Sequence, residues 1–527
     1  MTSPRTPLLA RSAGLTGAAT LTSRILGLLR DQVLAAMFGA SNDMDAFIVA
    51  FRIPNLVRDL FAEGAMSAAF VPTFTRRLTL NGKDDAWRLG NNLLSALLIV
   101  TAALVAAGIV FARPLVTAYA EDFGRVPGKL ELTIQLTRMM LPFLTMVAVA
   151  AAVMGMLNSL HHYFVPALAP AMFNVATLLC AFVLVPLMPS LGLPSIMAIA
   201  IAALLGGALQ VLVQWPPLRR EGFRYRFVLD LRDPGLHQVL VLMGPGTIGL
   251  AATQVNLFVN TLLATSQGTG AVSWLSYAFR LMYLPIGLFG VSIATAALPA
   301  VSRDAAIGDE AGIRRTAAEA MAMMMVLNVP ATLGLVTLAD PIVRLLFERG
   351  HFTPSDTAST AAALRLYAVG LVGYATARIL SPVFYAIRQS RVPVAVSLCT
   401  IAINIVANVG LVRVMGFRGL ALGTSLAMLV NGAALLLLLR RRLQGLEGGY
   451  LALTFGKIAF AALVMAAVSS GVERLAVELW PQAGSLPQAV RLFSAIGAGL
   501  VTLAAAAKLV RIREFDDFLA SARARLM

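Results

Sequence analysis

The chain is short of charge and of chemically reactive side chains. Of its 527 residues 13% are charged and 58% hydrophobic, whereas a soluble domain carries about 25% charged residues. Apolar runs recur along the whole length, so no large soluble domain fits among them. The two cysteines, Cys180 and Cys399, lie far apart in apolar stretches. That excludes a disulfide framework and a thiolate metal site, and each reads as a small buried side chain. The four histidines (His161, His162, His237, His351) are scattered in or near loops. They show neither metal-ligand spacing nor a catalytic triad, so no cofactor and no enzymatic activity is expected. Acidic residues number 26 against 42 basic ones, a formal net charge of +16. Nucleic-acid binding is not expected from this excess, because no soluble module combines aromatic with basic residues. The N-terminus is not a typical cleavable signal peptide. MTSPRTPLLARSAGLTG runs into a helical pattern bearing Arg24 and Arg30 instead of a short uncharged core.

What the chain does have is length in apolar segments. The pattern predicts an all-α polytopic membrane protein with about 14 spans, each long enough to cross about 30 Å of hydrocarbon. With the N-terminus inside, the inner loops carry about 17 basic residues and the outer loops about seven, which predicts that both termini are cytoplasmic. A faint repeat accompanies the spans. Phe51-Arg52 and Phe279-Arg280 are offset by 228 residues, and Leu60-Phe61 with Leu288-Phe289 and Ala68-Ala69 with Ala296-Ala297 keep that offset. Two parallel six-span units follow, residues 1–222 and 223–446, with a third segment, 447–527, holding two more spans and an amphipathic tail. In the tail Phe515, Phe518, Leu519 and Ala522 share a helical face.

Arginines interrupt the spans. Arg24 lies in the first, Arg58 in the second (FRIPNLVRDLFAEGAMSAAFVP) and Arg280 in the eighth. An arginine at the centre of a bilayer costs roughly 2.5–3.5 kcal/mol on insertion scales, so it ordinarily faces a polar cavity. Guanidinium offers a planar fork to phosphate oxygens, which points to an anionic cargo. In SRILGLLRD, Arg24 and Asp31 are seven apart and share a helical stripe, while Arg30 points roughly 120° away. Arg52, Asp59 and Glu63 share a stripe on the second span. These carboxylates are candidates to satisfy arginines when cargo is absent. The competing reading for Arg30, Asp31 and Arg52 is a set of ion pairs between helices. Asp43 and Asp45 sit at the outer end of the first hairpin, as gate partners or as a solvated helix N-terminus. Asn404 and Asn408 share a face and read as an interhelical hydrogen-bonding pair.

SRILGLLRD, FGASNDMDAF, PNLVRDLFAEGAMSAAFVP and VSWLSYAFRLMYLPIGLFGVSIATAALP closely resemble the MurJ (MviN) family of lipid II flippases, within the MATE-like exporter superfamily. The resemblance covers the whole chain and implies two six-helix lobes around a central cavity plus two C-terminal helices. It implies a carrier in the bacterial inner membrane that flips lipid II, the undecaprenyl-pyrophosphate peptidoglycan precursor. Its partners would be lipid II, membrane lipids and the cell-wall synthesis or division machinery, and not nucleic acid. The family's cavity arginines fall on Arg24, Arg30, Arg58 and Arg280, and its outer-hairpin aspartate on Asp45. Asp31, Arg52, Glu63 and Ser273 would support the cavity or its gates. Phe279 stands where many relatives carry an aspartate, so Arg280 lacks that neighbouring counter-charge. A flippase for another polyprenyl-linked saccharide, a MATE-type cation antiporter and a non-transporting scaffold remain alternatives. The arginines argue against the cation antiporter.

Overall fold

In the computed structural model residues 6–62, 65–286, 291–482, 484–517 and 520 are described, and of these the side chains outside 6–16, 57–62, 65–68, 244–253, 291–292 and 294–296. Arg58 and Asp59 are placed on a helix, but their side chains lie outside the described residues. Glu63 lies outside them altogether, as do Phe518, Leu519 and Ala522 of the tail. Phe515 is buried, packed in a core with Ile458 and Leu503, so it does not present an interfacial face.

Regular structure among the described residues is entirely helical, as hydrocarbon demands of a chain that must satisfy its backbone polar groups within each segment. Nine described helices, or ten counting one pair bent by 42°, are long and apolar enough to cross a membrane. The chain is an all-helical, multi-pass membrane protein.

Helix lengths recur. The first series is α1 (Thr6–Phe38), α2 (Asn42–Ala62), α3 (Ala65–Asn81), α4 (Lys83–Val110), α5 (Ala112–Ala120), α6 (Lys129–Met140), α7 (Phe143–Ser159), α8 (Phe164–Val183) and α9 (Met197–Arg220). The second is α10 (Pro234–Thr265), α11 (Ala271–Pro285), α12 (Val291–Ile307), α13 (Glu310–Thr337), α14 (Ala339–Phe347), α15 (Pro354–Val369), α16 (Leu371–Ala386), α17 (Arg391–Met415) and α18 (Phe417–Arg442). Two long helices close the chain, α19 (Gly448–Leu479) and α20 (Ser485–Leu509). Lys83 and Glu310 open 28-residue helices, and Ala112 and Ala339 open nine-residue ones. The breaks recur too: His161 (φ 63°) and Arg388 (φ 60°) both take the left-handed position that ends a helix, as do Gly82 and Gly308 in the preceding loops. Four of the expected spans fall outside the nine or ten: α1, α2 with α3, α10, and α11 with α12. Three of these four carry the arginines singled out above.

The chain divides into two compact units, residues 1–272 and 273–527. In the first, α1 packs on α8, α2 on α6 and α7, and α9 on α7 and α8. α10 opens the second helical series but packs on α3 of the first unit. A chain of rings (Phe70, Phe74, Trp87, Phe223, Trp215), with centroids 5.3–5.9 Å apart, fills one end of its core. In the second unit α16 and α18 meet through small residues: a Cβ on Gly373 would lie 2.4 Å from the Met428 carbonyl oxygen, so only glycine permits that approach. Outward faces of the last helices remain apolar and exposed, as at Val406, Leu500 and Val501, which suits contact with lipid. Cys180 is buried as expected, whereas Cys399 is exposed on the outer side of α17. The apolar character of its stretch belongs to a lipid-facing surface.

The segment between α9 and α10 has no partner strand among the described residues, and α4 takes that role. Asn91 accepts from Arg226 N (3.0 Å) and donates to Arg224 O (3.2 Å). Asn92 accepts from Asp230 N and donates to Asp230 O, both at 2.8 Å, and Ser95 Oγ accepts from Val228 N (3.2 Å). Asp233 then caps α10, accepting from Gly235 N (2.7 Å) and Leu236 N (3.0 Å), and takes a two-pronged pair from Arg77 of α3 (3.0 and 2.7 Å). Burial pushes the Asp233 carboxyl up, but the Leu236 amide and the Arg77 fork outweigh it and hold the group below the usual carboxylate range.

Asp233→Ala removes a helix cap and the bidentate partner of Arg77, and should lower stability by about 2–3 kcal/mol. Because its pKa is depressed, the Asp233 contribution is present above the ordinary carboxylate range and lost as pH falls through the folded-state value. The gap in melting temperature between the wild type and Asp233→Asn in detergent should therefore shrink below about pH 4. A gap independent of pH would assign the effect to packing.

Candidate functional site

Arg24 sits on α1 with its side chain exposed to a cavity of about 530 Å³. Thr20 and Ser23 on α1, Asn158 near the end of α7 and Tyr163 just before α8 supply its other polar groups. Pro166 and Pro170 of α8 form an apolar wall. A guanidinium beside hydroxyl and amide groups is the composition that binds an oxyanion, with the arginine supplying charge and the neutral groups direction.

Six residues further along α1 the chemistry differs. Arg30 donates to Asp31 Oδ1 (2.8 and 3.1 Å) and to Asn174 Oδ1 of α8 (3.0 Å), and its guanidinium lies 5.5 Å from the Phe173 ring centre. Asn174 in turn donates to Ser23 O (3.0 Å), tying α8 to α1 beside Arg24. Asp31 shares a helical stripe with Arg24. Asp31 instead engages its sequence neighbour, because an arginine's arm is long enough to wrap across the angle that separates adjacent residues.

Asp45 is fully buried in the first turn of α2. It accepts from Lys129 Nζ (2.9 Å, side chain 2% exposed) and from Gly270 N (2.7 Å). Lys129 lies 4.0 Å over the Phe123 ring centre, and Thr269 donates to Asn42 Oδ1 (2.7 Å). Asp45 is thus not solvated, and Lys129 is an ion-pair partner to it. Asp43 is half-buried, Arg52 is half-buried on α2, and Ser273 is fully buried near the start of α11.

In the second unit Arg280 is exposed on α11 beside an aromatic wall. Phe279 lies stacked with Tyr283 (6.2 Å) and edge-on to Tyr367 (5.5 Å), and Tyr283 meets Tyr374 edge-on (5.7 Å). Phe279, the residue before Arg280, is itself part of this wall. Arg365 is held by Asp340 and by Val336 O (3.3 Å), a structural pair. Asn408 donates to Asn404 Oδ1 (3.1 Å), and Asn404 lies within 3.5 Å of Thr424 on α18, so the pair links α17 to its neighbour. Asn174, Lys129 and the tyrosines were not foreseen. For Asn174 and the tyrosines the sequence signal is slight, an isolated polar residue in an apolar run, and Lys129 sits beside turn residues.

The profile of the family described as "Lipid II flippase MurJ" matches residues 34–490. The chain is 35% identical over 520 residues to the "Probable lipid II flippase MurJ" of Vibrio cholerae, covering 96% of this chain and 97% of that one. It is 35% identical over 452 residues to the "Lipid II flippase MurJ" of Burkholderia cenocepacia (85% and 87%). In fold it is similar to a lipid II flippase MurJ in an inward closed conformation, with TM-score 0.75 and 24% identity over 94% of this chain and 99% of that one. It also resembles an inward-facing multidrug resistance MATE family transporter of the MOP superfamily, with TM-score 0.66 and 16% identity over 83% and 99%.

Asp45→Ala strands a lysine in a buried site and should cost about 3–5 kcal/mol. Asp45→Asn combined with Lys129→Met removes both charges, keeps an acceptor for Gly270 N, and should recover most of that loss. Melting of the purified single and double variants checks this; a double variant as unstable as Asp45→Ala would show that the pair does not act as a unit.

Proposed function

This chain belongs to the lipid II flippase MurJ family, and from that premise we propose how its own residues handle the cargo. As a member it is a lipid II flippase of the inner membrane, and it moves its substrate without breaking a covalent bond. The cargo presents a pyrophosphate that cannot cross hydrocarbon bare. Arg24, Arg58 and Arg280 meet that pyrophosphate, and Arg30, fixed by Asp31 and Asn174, shapes the place where it sits. The observation that carries this reading is Arg24, exposed on a membrane helix to a mainly apolar cavity that also presents Thr20, Ser23 and Asn158. Arg52, Glu63 and Ser273 support that cavity or its gates. The pair Asp45–Lys129 acts as the outer latch, holding α2, α6 and the loop before α11 together.

The helical recurrence and the ten candidate spans support an organisation in 14 spans. These form two six-helix lobes (1–222 and 223–446) as parallel repeats, followed by the pair and tail in 447–527. Loop charge supports cytoplasmic termini. Transport then proceeds by alternating access, with the head group entering from the cytoplasm and the polyprenyl tail remaining in lipid along α19 and α20.

The test is complementation of a conditional flippase-depletion strain with wild type and with Arg24→Ala, Arg58→Ala and Arg280→Ala at matched expression, scoring accumulated lipid II. Wild type should rescue and each variant should fail, with lipid II rising about tenfold or more if one charge-assisted phosphate contact is lost. Rescue by the variants would reduce those arginines to structural roles. Failure of the wild type would point to another polyprenyl-linked saccharide.

A further inference from the structure

The ends of the two helical series on the arginine-rich side are built on one backbone plan and carry different charges. In the first unit α7 ends at left-handed His161, with His162 N donating to Leu157 O (2.9 Å), and α9 ends with Phe223 N donating to Leu218 O (3.3 Å). In the second, α16 ends at left-handed Arg388, with Gln389 N donating to Phe384 O (2.8 Å). There α18 ends with Gly445 N donating to Arg440 O (2.9 Å). In the first unit these ends carry an ion-pair cluster. Glu221 takes Lys83 at 3.0 Å and His162 at 2.9 Å, and Phe223 is buried behind them. The second unit leaves a cavity of about 540 Å³, lined among others by Ser302, Gly308, Glu310, Arg388, Arg442 and Leu443.

The charge there is unbalanced. Arg442 reaches Glu310 at 3.3 Å, with both side chains about half exposed. Arg388 has no hydrogen bond or ion pair to its guanidinium among the described residues, although its backbone is held in a conformation ordinarily given to glycine. Ile307 and Tyr385, next in sequence to the lining residues Ala306 and Ala386, are exposed, a tyrosine being the residue type that settles at the level of lipid head groups.

We propose that this cavity binds the phosphate of an anionic phospholipid from the cytoplasmic leaflet, at a place distinct from the transport cargo's. The side of the membrane rests on the orientation proposed above; the binding itself does not rest on transport. Arg388 takes the phosphate oxygens through its fork, Arg442 turns to it from Glu310, and Ile307 and Tyr385 lie against the glycerol and upper acyl chain. Basic pockets at helix ends on the cytoplasmic side suit such head groups. The adjoining apolar side chains favour a lipid over free phosphate.

The experiment is lipid binding to the purified full-length protein, by native mass spectrometry with titrated phosphatidylglycerol, phosphatidylcholine or inorganic phosphate. Phosphatidylglycerol should bind tightest. Arg388→Gln should weaken it about tenfold, the loss of one charge-assisted contact. Glu310→Gln should strengthen it a few-fold by freeing Arg442, a gain that misfolding cannot mimic. Arg391→Gln, an equal charge change on the same side, should alter it less than about twofold. Equal effects of Arg388→Gln and Arg391→Gln, phosphatidylcholine bound as tightly, or inorganic phosphate displacing the lipid at equal concentration would each overturn the proposal.

Discussion

A charge carried into hydrocarbon has to bring its own partner, and the arrangement of this protein follows from how each charge meets that demand. Asp45 and Lys129 meet it completely: both are sealed from solvent, at 2.9 Å, with a backbone amide and an aromatic face as further company. Such a pair gains little over two apolar residues, but losing one partner is costly, so its value lies in specifying which helices meet. Arg30 meets the demand within α1 and across to α8. Arg24 meets it with a cavity. Two arginines six residues apart on one helix thus divide into one that fixes the wall and one that is presented by it.

The same demand explains what could be read from sequence. Apolar runs, prolines and glycines are local signals, and they mark where helices begin, bend and stop. The 228-residue offset seen in a few dipeptides lies within one residue of the 227 between the starts of α4 and α13 and of α5 and α14. Pairing is not a local signal. Lys129 follows Val126-Pro127-Gly128 and looks like part of an exposed turn, and nothing near it in sequence announces an aspartate 84 positions earlier. Asn91, Asn92 and Ser95 look like minor polar content in a span, yet they carry the backbone of the whole 224–230 segment. Asp31 shares a stripe with Arg24 by angle, yet the reach of the arginine beside it brings Arg30 onto its carboxylate.

Recurrence of the backbone with divergence of the side chains is the other theme. Left-handed residues stand at matching helix ends in both series, so the turns are shared. What those turns present is not shared: a Lys83–Glu221–His162 cluster in one series, a cavity with a surplus arginine in the other. A turn geometry can persist while its charge is reassigned, because the hydrogen bonds that close the helix end belong to the main chain.

The placement of α10 bears on how the protein is made. Its helical pattern begins again at Pro234, but the first compact unit extends to Val272. The first unit is therefore not complete when the ninth helix leaves the ribosome. Until α10 arrives, the face of α3 that it covers and the guanidinium of Arg77 have no final partner. At about 5–20 residues per second the wait is a few seconds. The segment 221–233, laid along α4 by side-chain amides, delivers the late helix to the correct groove. A gene cut at the sequence repeat would separate that helix from its seat, whereas one cut after residue 272 would keep the pair together.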